Sequence, residues 1–322
     1  MAPNRRRFLQ ALAGSATLPA LADEPVSKPA LRLGLIADVH KDIIHDADER
    51  LTRFVETMTR EKVDAIIQLG DFCIPKPANR EFLAIFERFP GPRFHVLGNH
   101  DMDGGFSRQQ AVEFLGMKSR YGSFDLGGCH FIYLDGNDRP EDWGGGYPAH
   151  IAADQLEWLR EDLARTDRPT YLLSHQSLER PGCIDNQDEV RRVLEAARDA
   201  KGRPKAVACL NGHWHIDHHR SIGGIRYLHL NSAAYFWMGG KYRFERLPEP
   251  LARRFPTVAS TAPYRQPLFA ILEIGPDGRD FRLQGRESEW LGPSPAELGY
   301  ASKQIEPAWV RPAISAVTVA GA

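Results

Sequence analysis

The chain has 322 residues, 42% of them hydrophobic and 26% charged, with a formal net charge of −1. This composition suits an ordinary globular protein that buries a full core, and it offers no basic face for nucleic acid. Four cysteines without CxxC spacing argue against a zinc knuckle or a dense disulfide framework, and no apolar run reaches membrane-span length.

In chain order, "NRRRFLQALAGSATLPALAD" comes first: a basic start, a modestly apolar stretch and a small-residue ending before Asp23. That is the layout of a removed export signal. The "RRRFLQ" segment resembles a twin-arginine signal, with Arg5 and Arg6 as the pair, so residues 1–22 are expected to engage the twin-arginine export machinery. The mature protein is then expected in the periplasm. Residues 23–30 read as a linker, 31–291 as one folded domain and 292–322 as a tail without clear period that wraps the surface.

Apolar runs of strand length follow at 31–38, 63–71, 93–100, 130–137, 170–175 and 205–213. Between them, apolar residues repeat at helical spacing: Leu51, Phe54, Val55 and Met58; Phe82, Ile85, Phe86 and Phe89; Leu156, Leu159 and Leu163; Val190, Val193, Leu194 and Ala197. Alternating strand and helix predict an α/β fold with a largely central sheet. Later segments read as antiparallel strands, with "GPDG" (275–278) as the turn between two of them.

Five of the apolar runs end on residues suited to metals: Asp38 with His40, Asp71, Asn99 with His100, His175, and His213 with His215. In open α/β sheets the loops beyond the carboxyl ends of the strands form one rim where ligands bind. Carboxylate, amide oxygen and imidazole suit zinc, manganese or iron, and two such ions can clamp a phosphate and activate a water between them. Singly each block has an ordinary reading: Asp38 as a cap, Gly70-Asp71 as a turn, His175 as a hydrogen-bonded rim residue. Five such accidents at five strand ends are another matter.

In this order, "DVH" (38–40), "GD" (70–71), "GNHD" (98–101), "SH" (174–175) and "GHWH" (212–215) resemble the calcineurin-like metallophosphoesterase superfamily, over roughly residues 31–240. The resemblance implies a four-layer α/β/β/α sandwich of two mixed sheets flanked by helices. It implies two divalent or trivalent metal ions (Fe, Mn or Zn), one on Asp38, His40 and His215, the other on Asn99, His175 and His213, with Asp71 bridging. His100 would face the phosphate as general acid or as a donor to the developing charge. The implied activity is hydrolysis of a small phosphoester, expected to be a diester, by a metal-bridging hydroxide. A phosphomonoesterase and a non-catalytic metal-binding scaffold are the alternatives.

Two departures narrow the branch. "GDFCIPKP" lacks the G-D-x-x-D-R-G of protein Ser/Thr phosphatases, and Ile74 stands where purple acid phosphatases place a ligand tyrosine. The remaining resemblance is to the cyclic-nucleotide-phosphodiesterase-like branch. Substrate walls are expected from Trp143 and Tyr147 in the Gly-rich segment 137–150, and from Tyr235 and Trp237 in 231–242; ordinary aromatic packing is the competing reading. Lys41 is the candidate cation for the phosphate. His95, His130, His218 and His219 are expected to bond or pack locally.

Overall fold

A computed structural model describes residues 29–320, so the expected export signal lies outside the described residues. Two six-stranded sheets carry the chain. The first runs in the order β16-β13-β12-β1-β2-β3, made of β1 (Leu31–Ile36), β2 (Ala65–Gln68), β3 (Arg93–His95), β12 (Ala270–Ile274), β13 (Phe281–Leu283) and β16 (Val317–Val319). The second runs β4-β5-β6-β7-β9-β8, made of β4 (Gly122–Leu126), β5 (Cys129–Leu134), β6 (Thr170–Ser174), β7 (Ala206–Asn211), β8 (His218–Ile222) and β9 (Ile225–His229). Small pairs join β10 (Tyr235–Trp237) to β11 (Thr261–Pro263) and β14 (Arg286–Glu287) to β15 (Ala313–Ile314).

Both sheets are parallel along β1-β2-β3 and β5-β6-β7-β9, and antiparallel at β12, β13 and β16 and at the outer strands β4 and β8. The expected two mixed sheets are therefore present. Alternation along each strand sorts side chains between layers. Leu33, Leu35, Ile67, Phe131, Tyr171 and Leu173 point into the core between the sheets. The opposite face of the first sheet, with Ile36 and Ile66, packs on α1 (Ala47–Arg60) and α2 (Arg80–Glu87) through Phe54, Met58, Phe82 and Phe86. That face also meets α3 (Arg108–Phe114) through Val112 and Phe114. The opposite face of the second sheet, with Ile132, Leu134 and Leu172, packs on α4 (Ala153–Arg165) and α5 (Gln187–Ala196). Strands covered on both faces read as continuous apolar runs, which is how they appear in the sequence. Each fully buried Phe or Leu contributes about 1.5–3 kcal/mol.

α1 shows how the helices are bounded. Asp48 and Glu49 occupy its first turn and Arg60 its last, matching the helix dipole. Lys62, at φ 52°, turns the chain out, and the Val63 amide returns to the Met58 carbonyl at 3.2 Å.

The expected tail is corrected. Val317–Val319 pairs with β13 as the edge of the first sheet, and Ile305, Ile314 and Val317 belong to the core between the sheets. Residue 291 is therefore not a structural boundary. The strand is three residues long, too short to show a period in sequence.

Candidate metal centre

The rim forms because β1, β2, β3, β6 and β7 all end at one edge of the sandwich. After β1 come Asp38 and His40, after β2 Asp71, after β3 Asn99 and His100, after β6 His175, and after β7 His213 and His215. Six non-glycine residues with positive φ occur among the described residues: Asp38, His40, Asp71, His213 and His215, with Lys62 at the helix end above. Each such residue costs on the order of 1 kcal/mol or more, and strain of this kind collects at functional sites. The turns also bring backbones very close. A Cβ on Gly98 would lie 2.1 Å from the Asp71 nitrogen, and one on Gly212 would lie 2.3 Å from Asp38 Oδ2. The glycines of "GNH" and "GHWH" are thus fixed by approach to the acids opposite them.

Two groups of ligand-type atoms result, Asp38 with His40 and His215, and Asp71 with His175 and His213. In the first, His215 Nε2 is 3.1 Å from both His40 Nε2 and Asp38 Oδ1. In the second, His175 Nε2 is 3.1 Å from Asp71 Oδ2 and 3.3 Å from His213 Nδ1. Asp71 Oδ2 also faces His40 Nε2 at 3.7 Å, so one carboxylate oxygen looks toward both groups. Its Oδ1 accepts the His100 amide at 2.8 Å.

The donor set fits metal ions. His215 Nδ1 and His175 Nδ1 donate to the carbonyls of Tyr235 and Leu69, each at 2.8 Å, which leaves both Nε2 atoms facing inward. Asn99 Oδ1 is buried without a hydrogen-bond partner, immediately before His100. A buried orphan carbonyl costs about 1–3 kcal/mol unless something supplies a positive partner. No thiolate competes, because burial pushes the Cys73 thiol far above its usual range.

Electrostatics of the metal-free chain point the same way. Burial disfavours the charged form of His175, but the charges of Asp71 and Asp38 outweigh it and push its pKa up to about 10. Burial, reinforced by His175, depresses His213 to about 3. Burial opposes ionisation of Asp71 as well, yet its histidine neighbours hold it well below the usual carboxylate range. Burial and the Asp71 charge raise Asp101 to about 7.

Several residues beyond the expected set support the rim. Asp101 is fully buried and accepts from the amides of Phe72, Cys73 and Gly98 at 2.7, 3.0 and 2.8 Å, locking the "GD" loop to the "GNHD" loop. Asp217 accepts the Ser315 amide at 2.9 Å and donates its own amide to the Trp309 carbonyl at 2.9 Å, so the last stretch of chain clasps the "GHWH" loop. Acids one or two residues past a ligand read as caps in sequence, and nothing local marks them.

The expected substrate walls separate. Tyr147 stands at the centre: its hydroxyl is 3.1 Å from His100 Nδ1. Tyr235 is corrected, since it is buried and its ring lies 5.0 Å from those of both His40 and His215, bracing ligands instead of facing substrate. Lys41 lines the groove beside the centre, where its ammonium pairs with Asp48. Trp143 stacks under Arg139, and Trp237 is 48% exposed at the end of β10. His95 bonds Gln68 at 3.1 Å, and His130 lies between Asp125 and Asp162 at 2.7 and 2.8 Å. His218 and His229 turn to Glu179, whose second oxygen meets Arg220 at 3.2 Å, a charge-balanced network apart from the rim.

The calcineurin-like phosphoesterase family matches residues 31–217, and the chain belongs to it. It is thus a metal-dependent hydrolase of phosphate esters by family. Among solved structures it is similar to a dimetal phosphatase from Danio rerio, at 18% identity and a TM-score of 0.59, covering 82% of this chain and 99% of that one. It is also similar to GAP50, the anchor in the inner membrane complex of Plasmodium, at 13% identity and a TM-score of 0.50, covering 79% and 84%. These likenesses show a shared fold. None of the curated proteins compared with it matches.

Proposed function

We propose that the chain hydrolyses phosphodiesters at a dinuclear centre, with Asp38, His40 and His215 holding one ion, Asn99, His175 and His213 the other, and Asp71 between them. Iron, manganese and zinc all suit this oxygen and imidazole set. Bound there, two ions supply Lewis acidity toward the phosphoryl oxygens and a hydroxide nucleophile at neutral pH. The chain's own residues position and protonate. Backbone strain and the carbonyls of Leu69 and Tyr235 aim the imidazoles, and Asp101 fixes the loops that carry Asp71 and Asn99. His100 delivers a proton from Nε2 to the leaving oxygen as its bond to phosphorus breaks.

Rim charge is the observation that favours a diester. Among the described residues, the groove beside the centre is lined by Asp42, Asp71, Asp101 and Asp103, with Lys41 its one basic chain of the lysine or arginine type. Lys41 already pairs with Asp48, and the nearby Lys76 pairs with Asp42. A phosphate monoester carries close to two negative charges at neutral pH and a diester one; beyond the ions themselves, no described lysine or arginine lining this groove is unpaired and able to meet the second charge, which favours the diester. The complete ligand set speaks against a scaffold without chemistry. Comparing bis-p-nitrophenyl phosphate with p-nitrophenyl phosphate tests this reading: kcat/KM is expected to favour the diester by roughly tenfold or more. Preference for the monoester would overturn it.

Export by the twin-arginine route belongs to the same reading and is supported by residues 4–22 alone. An Arg5→Lys/Arg6→Lys pair is expected to hold the protein in the cytoplasm of its host; unchanged export would refute it.

A further inference from the structure

His100 is held by two residues to which the functional reading gives no role. The helical turn that begins at His100 breaks at Asp103, where φ −62° and ψ 161° leave the helix and Gly104 at φ 74° reverses the chain. This break swings the Asp103 carboxylate back over its own turn. One oxygen, Oδ2, lies 2.6 Å from His100 Nδ1, and the other, Oδ1, accepts the Tyr147 hydroxyl at 2.8 Å. The Tyr147 ring lies 4.8 Å from the imidazole, tilted by 57°. Tyr147 comes from a different part of the chain, and its segment is pinned near the base. Asn137 bridges to His150, and Asp138 is gripped by Arg108 and Arg120 at 2.7 and 2.9 Å.

We propose that Asp103 and Tyr147 are positioning residues that fix the His100 ring, so that Nε2 alone is presented to the leaving oxygen of the substrate. This rests on the phosphodiesterase reading and deepens it. With Nδ1 committed to Asp103, rotation of the ring would break that bond, and Tyr147 in turn keeps the carboxylate from following another donor. Orientation of this kind matters most where proton delivery matters most. A departing alkoxide or unactivated phenoxide needs the proton; p-nitrophenoxide leaves without much help. Loss of Asp103 or Tyr147 therefore acts selectively on poor leaving groups, which a merely structural role would not do.

The test measures kcat and KM of wild type, Asp103→Asn, Tyr147→Phe and the double variant on methyl p-nitrophenyl phosphate and methyl phenyl phosphate. Metal content is measured on each protein. Asp103→Asn is expected to lower kcat on the phenyl ester roughly 10- to 100-fold and on the nitrophenyl ester by less than about threefold, with KM and metal content unchanged. Tyr147→Phe, which removes only the hydroxyl of an exposed side chain and leaves the ring in place, is expected to act in the same direction by roughly three- to tenfold. The double variant should be no slower than Asp103→Asn, because both residues act through one imidazole. Equal losses on both esters, losses that multiply in the double variant, or loss of metal would overturn the proposal. A wild-type protein inert on both esters would instead remove the phosphodiesterase reading beneath it.

Discussion

Asp71 and His175 meet at 3.1 Å between Oδ2 and Nε2, and this contact joins the two sheets: Asp71 follows β2 of the first and His175 follows β6 of the second. Chemistry at the rim therefore depends on the packing of the whole sandwich, and the centre is a property of the interface between sheets more than of any one loop.

Because a single carboxylate oxygen faces both ligand groups, Asp71→Ala is expected to leave fewer than two ions bound and to reduce phosphodiester hydrolysis by at least about 10³-fold. Elemental analysis alongside the rate checks this. Full activity in the variant would refute the bridging role.

Asp101 makes a different kind of contribution. Asp101→Ala strands the amides of Phe72, Cys73 and Gly98, and is expected to cost at least about 3 kcal/mol of unfolding free energy. Asp101→Asn keeps one acceptor oxygen and should cost less. Urea denaturation of the two variants measures the order.

pH dependence follows from the metal-free ion pair. His175 is pushed up to about 10 from an ordinary 6.5, so its contribution to stability is complete below about 6.5 and is lost as pH rises through 10. The depressed Asp71 works in the opposite direction, losing its contribution only as pH falls well below the ordinary carboxylate value of 3.8. The Tm of the chelated protein is therefore expected to fall between neutral pH and about 10. Metal binding should strengthen over the same range, since His175 must give up its proton to become a ligand. A Tm that rises across that window would contradict the pairing.

Ending the chain at residue 300 removes the β16 edge, the core residues Ile305, Ile314 and Val317, and the clasp of Trp309 and Ser315 on Asp217. The shortened protein is expected to lose several kcal/mol of stability, of the order of two buried aliphatic chains or more. Its metal affinity should fall with the loosened "GHWH" loop. Thermal melts and metal titration report the two effects separately.

Much of the centre is legible in sequence, because strand ends are where apolar runs meet polar residues and the spacing of "DVH" or "GHWH" survives any detail of packing. What was not legible has physical reasons. Lys41 reads as an unpaired cation until α1 places Asp48 beside it. Tyr235 reads as a wall until β10 turns it under His40 and His215. Asp101 and Asp103 look like ordinary turn acids, since beyond one neighbour three residues back each also holds groups 28 and 29 residues away in one case and 44 in the other. α3 carries its own local signal, since Ser107 and Gln110 form a reciprocal capping box.

Elemental analysis of the freshly purified protein tests the central claim most directly. Two equivalents of iron, manganese or zinc per chain, summed over the metals, are the expected result. One equivalent or none in a protein that still hydrolyses phosphoesters would contradict the dinuclear centre built here from Asp38, His40, Asp71, Asn99, His175, His213 and His215.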